Sequence, residues 1–142
     1  MYTPHTVTLI LAEETADGVM EYNSIILRGV FLDLSKSSNV NKSGIEDTDS
    51  AALYIPFSVD TGSRRFLPPK AYKEQTNKAL YWTLFDGGES SGSECYFIKG
   101  EISEAVPYKT ARERYDFVYR VTSVDTRDYG SARMQHWQVG GR

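Results

Sequence analysis

The hydrophobic pattern is that of strands separated by polar turns. From His5 to Leu11 it alternates, with Val7, Leu9 and Leu11 on one face and Thr6, Thr8 and Ile10 on the other. A period of two with β-branched content predicts a strand. Glu13 to Gly18 is polar and ends in Asp-Gly, a hairpin-turn signal. Tyr22 to Leu34 predicts a longer, more apolar strand, and Gly29 inside it marks a bulge or a close backbone approach. Ala51 to Phe57 predicts a third strand, with Pro56 at its end or on an edge because proline cannot donate to a ladder. Tyr96 to Ile102, broken by Gly100, predicts a fourth. The C-terminal stretch carries two further β-rich runs, Val118 to Val124 and Met134 to Val139, flanking a polar segment with Asp128 and Gly130. Together they predict a hairpin over 118–142, the frame against which earlier strands pair.

Between the strands lie segments of other character. Pro68 and Pro69 open a helical candidate running from Lys70 to Lys78. Ala79 to Phe85 carries Trp82 and is expected to pack beneath or beside the strands. Val106 to Tyr115, with Pro107 near its start, reads equally as a helical turn or a connecting arm. Two stretches are mostly polar: Asp86 to Glu94, rich in Gly and Ser, and about 35–50, where Val40 and Ile45 are the apolar residues. Connections as long as the second are uncommon in compact domains and are usually functional or disordered. The sum is a mainly β protein without βαβ rhythm. It is expected to form one domain over 1–142, a small antiparallel β-barrel or sandwich with one short helix and long polar loops.

The totals refine this picture. At 142 residues one core is large enough to stand without disulfide or metal staples. The single cysteine, Cys95, excludes an internal disulfide and fits synthesis in a reducing compartment. A net charge of −3 argues against a chain that traps nucleic acid electrostatically. The 10 tyrosines suit strands and protein interfaces alike. No apolar run reaches the length of a bilayer span, and Met-Tyr-Thr-Pro-His-Thr lacks the pattern of a secretory leader. The expected setting is a soluble, intracellular one at synthesis, with no membrane.

Few residues form a chemical constellation. Asp60-Thr61-Gly62-Ser63 matches the aspartic-protease signature, whose chemistry requires two carboxylates sharing a proton, here from a dimer using Asp60 twice. The charged Arg64 and Arg65 that follow do not fit a buried carboxylate pair, and a plain turn accounts for the same residues. His5 and His136 come near each other only if the first and last strands pair, and with Cys95 they make no zinc spacing. Glu46, Asp47 and Asp49 lack the glycine and terminal glutamate of a calcium loop. No catalytic residue, cofactor or metal is therefore expected. Arginines 112, 114, 120, 127 and 133 interleave with Tyr108, Tyr115, Tyr119 and Tyr129. That mixture suits a single-stranded nucleic-acid-binding barrel. It suits a protein interface better, because Glu113, Asp116, Asp125 and Asp128 dilute the positive charge. Tyr119, Arg127, Tyr129, Arg133 and Trp137 are the candidate subunit interface.

Several blocks carry a resemblance. They are His5-Thr6-Val7-Thr8-Leu9, Leu27-Arg28-Gly29-Val30-Phe31, Asn39 to Gly44 with the following Leu53-Tyr54-Ile55-Pro56-Phe57, Val121 to Gly130, and His136 to Arg142. Together they resemble small head–tail connector (minor capsid) proteins of tailed siphophages that infect Gram-positive bacteria. The resemblance implies a virion structural protein of the phage neck, a head-completion or stopper subunit. Such subunits form a homo-oligomeric β-barrel ring between the portal and adaptor of the head and the tail terminator. Packaged double-stranded DNA passes through the channel of the ring. It further implies a channel loop, for which Asn39, Val40, Asn41, Lys42, Ser43, Gly44 and Ile45 are the candidates. The Gly140-Gly141-Arg142 terminus and the 87–94 loop are implied to order on assembly. A tail-completion or other minor virion protein is the neighbouring alternative.

Overall fold

A computed structural model of the chain describes residues 3–35, 50–85 and 93–142. The candidate channel loop, Asn39 to Ile45, lies outside the described residues, as does most of the 86–94 stretch. Among the described residues eight strands are formed: β1 (His5–Glu14), β2 (Met20–Ser35), β3 (Ser50–Pro56), β4 (Arg65–Phe66), β5 (Tyr81–Trp82), β6 (Ser93–Lys99), β7 (Val118–Arg127) and β8 (His136–Gly141). Two short helices, α1 (Pro69–Lys73) and α2 (Tyr108–Arg114), and a 3-10 turn at Lys78–Leu80 complete the order. Six strands close into an antiparallel barrel in the order β1-β2-β3-β8-β7-β6, while β4 and β5 form a small parallel pair. The C-terminal hairpin is the frame the sequence suggests, with β8 pairing β3 and β7 pairing β6.

Alternation places the core. Val7, Leu9, Leu11, Ile25, Leu27, Val30, Leu53, Ile55, Phe97, Val121 and Val139 point into the barrel and are buried. The phase shifts at two bulges. His5 pairs Val30 while Thr6 pairs Arg28, which leaves Gly29 as the extra residue at φ +84, as its place in the sequence suggests. A second bulge falls between Val121 and Ser123. A smaller cluster covers the outside of β1 and β6, where Ile10, Ala12, Tyr96 and Ile98 lie under Val106 and Ala111 of the α2 region. The undecided 106–115 segment is therefore a helix because one face of it has a sheet to cover. Pro107 stands at its N-cap, and the Tyr96 hydroxyl donates to the Val106 carbonyl. Buried Thr8 closes the neighbouring turn, donating to the Gly100 carbonyl and accepting from the Ile102 N–H, both at 2.8 Å.

The barrel is not sealed along its whole height. At the end holding the β1–β2 and β7–β8 turns, called upper here, β6 and β7 pair only through Tyr96–Arg120, Phe97–Tyr119 and Ile98–Val118. β2 and β3 pair only through the five pairs from Phe31–Tyr54 to Ser35–Ser50. Above those pairs the barrel splits into two sheets, β6-β1-β2 and β3-β8-β7, and the β4–α1–β5 excursion wedges between them. Tyr72, Trp82, Leu84 and Phe85 of the excursion belong to the main core. Tyr72 is anchored by Asn23 of β2, which donates to its hydroxyl at 3.2 Å and accepts from Arg64 at 3.2 Å.

Three expectations are corrected here. Helix α1 is shorter than the Lys70 to Lys78 run, because Glu74 caps it and the chain must turn back to deliver Trp82 to the core. The Gly140-Gly141-Arg142 terminus already belongs to the barrel. Gly140 and Gly141 are in β8, and Arg142 exchanges two backbone hydrogen bonds with Arg120, at 2.8 and 3.0 Å. Strands β1 and β8 are not neighbours, so His5 and His136 do not meet. They end an outer row of rings, His5–Phe31–Tyr54–His136, with centroids 5.7, 5.7 and 5.8 Å apart.

Candidate functional site

The split between β6 and β7 leaves a slot of about 760 Å³ at the upper end of the barrel. One wall is β7, through Val124 and Thr126, with Asp128 just beyond its end, and the opposite wall is the excursion, through Pro68, Pro69, Lys70, Lys73 and Phe85. Its aromatic floor is built around Trp137 of β8. That indole packs against Phe57 and Phe66, each 4.4 Å away between centroids, and against Trp82 at 5.3 Å. The volume and apolar lining are those of a site that receives a partner's side chains or a small ligand.

Charge is confined to the lip. Lys70 and Lys73 are exposed, three residues apart on α1, and the Lys73 ammonium stands 5.6 Å above the Phe85 ring. Asp128 lies on the other side. Beneath the excursion, burial pushes the Tyr72 hydroxyl above its usual range, against the smaller opposing effect of the Asn23 hydrogen bond. Burial likewise pushes Tyr96 well up, with Tyr22 and Glu94 adding to the effect. Both phenols are therefore neutral structural donors or acceptors. On the outer surface, the Arg114 guanidinium and then the Tyr115 hydroxyl hold the Glu104 carboxyl below the usual carboxylate range.

The sequence-derived candidates are divided by the fold. Tyr119 and Trp137 are 8% and 6% exposed and belong to the main core, and of the two Trp137 also lines the slot. The inward phase of β7 and β8 puts them there. Arg127, Tyr129 and Arg133 lie at the upper end, and the Arg127 guanidinium donates to the Tyr129 hydroxyl at 2.7 Å. Asp60 sits in a tight turn. Its Oδ1 accepts the Gly62 N–H at 3.0 Å, and its backbone exchanges two hydrogen bonds with Arg28. Gly62 and Ser63 take positive φ, the geometry of the plain turn. Cys95 is buried, its thiol donating to the Phe85 carbonyl at 3.1 Å. Among the described residues no group of three or more His, Cys, Asp or Glu is gathered for a metal, and no helix is long and apolar enough to cross a membrane.

The slot itself was not expected from sequence. Phe57 and Phe66 flank the Asp-Thr-Gly-Ser turn, and Phe85 ends the Trp82 segment, so their convergence depends on how the excursion folds back. The one available signal is spacing. Val121 and Val124, both inward, are three apart instead of two, which announces the bulge below the open seam.

No curated protein and no solved structure matches this chain. A family of unknown function, DUF6751, matches residues 2–142, and the chain belongs to that family.

Proposed function

We propose that this chain is a structural virion protein of the phage neck, a head-completion or stopper subunit that repeats in a ring to join head and tail. The observation that carries the reading is the barrel's pair of incompletely paired seams, β2/β3 and β6/β7, three strand positions apart in a six-strand closure. A ring subunit needs two different faces on opposite sides, because head-to-tail contacts join unlike surfaces. The resemblance of the quoted blocks supplies the setting, with portal and adaptor on one side and tail terminator on the other. A chain with net charge −3 suits a channel through which packaged double-stranded DNA must slide, since few phosphates are neutralised. The function is one of assembly, without a catalytic step.

The test is to disrupt the gene in a phage that encodes this chain and to image the lysate by electron microscopy. Emptied or unstable heads beside separate finished tails are expected. Filled, stable heads with defective tails would move the protein to tail completion. Immature, unprocessed shells would revive the dimeric protease at Asp60, and normal virions would remove the connector reading.

A further inference from the structure

In an antiparallel ladder, residues alternate between exchanging both hydrogen bonds with a given neighbour and turning both groups away from it. On β7 the phase is set by Arg120 and Arg142, which exchange both bonds. Counting along β8 from Arg142, the bonded positions are Gly140, Gln138 and His136. The partners of Val139 and Trp137, namely Val124 and Thr126, then turn their N–H and C=O groups toward the open seam. These are the same β7 residues whose side chains line the slot.

On β2 the phase is set by the Thr15 N–H, which donates to the Val19 carbonyl at 2.8 Å. Met20, Tyr22, Ser24, Ile26 and Arg28 then face away from β1. Arg28 does so, exchanging both of its bonds with Asp60. Among the described residues the strand pairs end at Arg28 on this edge and at Arg120 on the β7 edge, and no turn or loop backbone hydrogen bond reaches Met20 to Ile26 or Val124 to Thr126.

We infer that identical copies associate head to tail, the upper β2 edge of one copy pairing antiparallel with the Val124–Thr126 edge of the next. The two edges belong to opposite seams and run in opposite senses along the barrel, so barrels standing side by side with parallel axes present them correctly. Residues paired across a sheet place their side chains on one face. The incoming Met20 therefore enters the slot over Trp137, on the face lined by Val124 and Thr126. Met20 and its neighbour Val19 are 37% and 60% exposed in the single chain, an apolar pair without cover. Glu14 pairs with Met20 across the β1–β2 hairpin, and Asp17 lies at its turn. The approaching hairpin is therefore acidic where the slot lip carries Lys70 and Lys73. Backbone without a partner among the described residues, exposed apolar side chains and charge all select a second copy of this chain as occupant.

The contact rests on the ring reading for its biological setting, but its faces are tested on the purified full-length chain. Met20→Cys is combined with Thr126→Cys, and separately with Asp128→Cys to cover a shift in register, and the chains are oxidised. Cys95 is buried and stays out of reach. A ladder of covalent dimers, trimers and higher species is expected from a double variant. Mixing the two single variants should give dimers only. Glu14→Lys should lower the crosslinking yield about tenfold through like-charge contact with the lip, and Lys70→Glu with Lys73→Glu should restore it. Absence of crosslinks in both double variants would overturn the inference. So would Met20→Cys alone dimerising as readily as the mixture, which indicates a two-fold contact instead. A phage disruption that shows a neck defect alongside such a result would leave the ring reading standing and refute only these faces.

Discussion

Gly140 and Gly141 are neighbours in one strand, and substituting each with alanine should have different consequences. A Cβ built on Gly141 lies 2.9 Å from two carbons of the Phe97 ring and 3.0 Å from the Tyr119 Cβ. Carbon atoms are at ease at about 3.5–4.0 Å, so the overlap is several tenths of an ångström on each contact. Neither neighbour can yield cheaply: Phe97 is fully buried, and the Tyr119 Cβ is fixed to the β7 backbone. Overpacking of this kind costs about 1–3 kcal/mol. The reduced freedom of the unfolded alanine chain offsets about 0.4–1 kcal/mol of it. Gly141→Ala should therefore destabilise the barrel by about 1–2 kcal/mol, or lower Tm by roughly 3–8 °C for a chain of this size. A Cβ on Gly140 meets the Ser123 Oγ at 2.5 Å, but that hydroxyl is the end of an exposed side chain that rotates aside. Gly140→Ala should be close to neutral. Thermal and urea unfolding of both variants, followed by circular dichroism, make the comparison. Equal destabilisation of the two, or a neutral Gly141→Ala, would refute the close approach of β8 to Phe97 and Tyr119.

Three further outcomes are expected. Trp137→Ala should cost about 3–5 kcal/mol in the isolated chain, measured by denaturant unfolding, because it empties the floor shared with Phe57, Phe66 and Trp82. An unchanged midpoint would return Trp137 to the role of a surface residue. Tyr96→Phe leaves the buried Val106 carbonyl without its donor and should cost about 1–3 kcal/mol, which unfolding measurements will report. The raised values of Tyr96 and Tyr72 also fix a pH dependence. Their neutral forms are favoured in the fold, so that contribution is complete below about pH 10, where unfolded tyrosine is still protonated. It is lost as pH rises through the folded values. Stability should fall on the alkaline side of pH 10, tyrosinate absorbance should appear with unfolding, and Tyr96→Phe should flatten the slope.

The barrel was legible because one rule, alternation, governs most of its residues. Val7, Leu9 and Leu11 announce β1, and the interruptions of alternation announce the irregularities. Gly29 separates Leu27 from Val30, and two polar residues separate Val121 from Val124. Where a residue serves two purposes equally well, the pattern is silent. Tyr119 and Trp137 have the composition of an interface and the phase of a core, and the phase decides their place. Gly140 and Gly141 read as a loose terminus, whereas both are strand residues, and Gly141 is small because Phe97 and Tyr119 leave little room. The slot was hidden for another reason. It exists because β6–β7 pairing stops at Tyr96–Arg120, and no local residue pattern records where two distant strands part.

We propose that this barrel repeats around the neck of a phage particle. Cryo-electron microscopy of that neck, at a resolution that separates strands, tests it most directly. The account predicts a ring of copies between portal and tail, with β2 of each barrel beside β7 of the next and Met20 over the neighbour's Trp137. A neck whose density accommodates no copy of this barrel would contradict the function. A ring joined through other faces would contradict the contact.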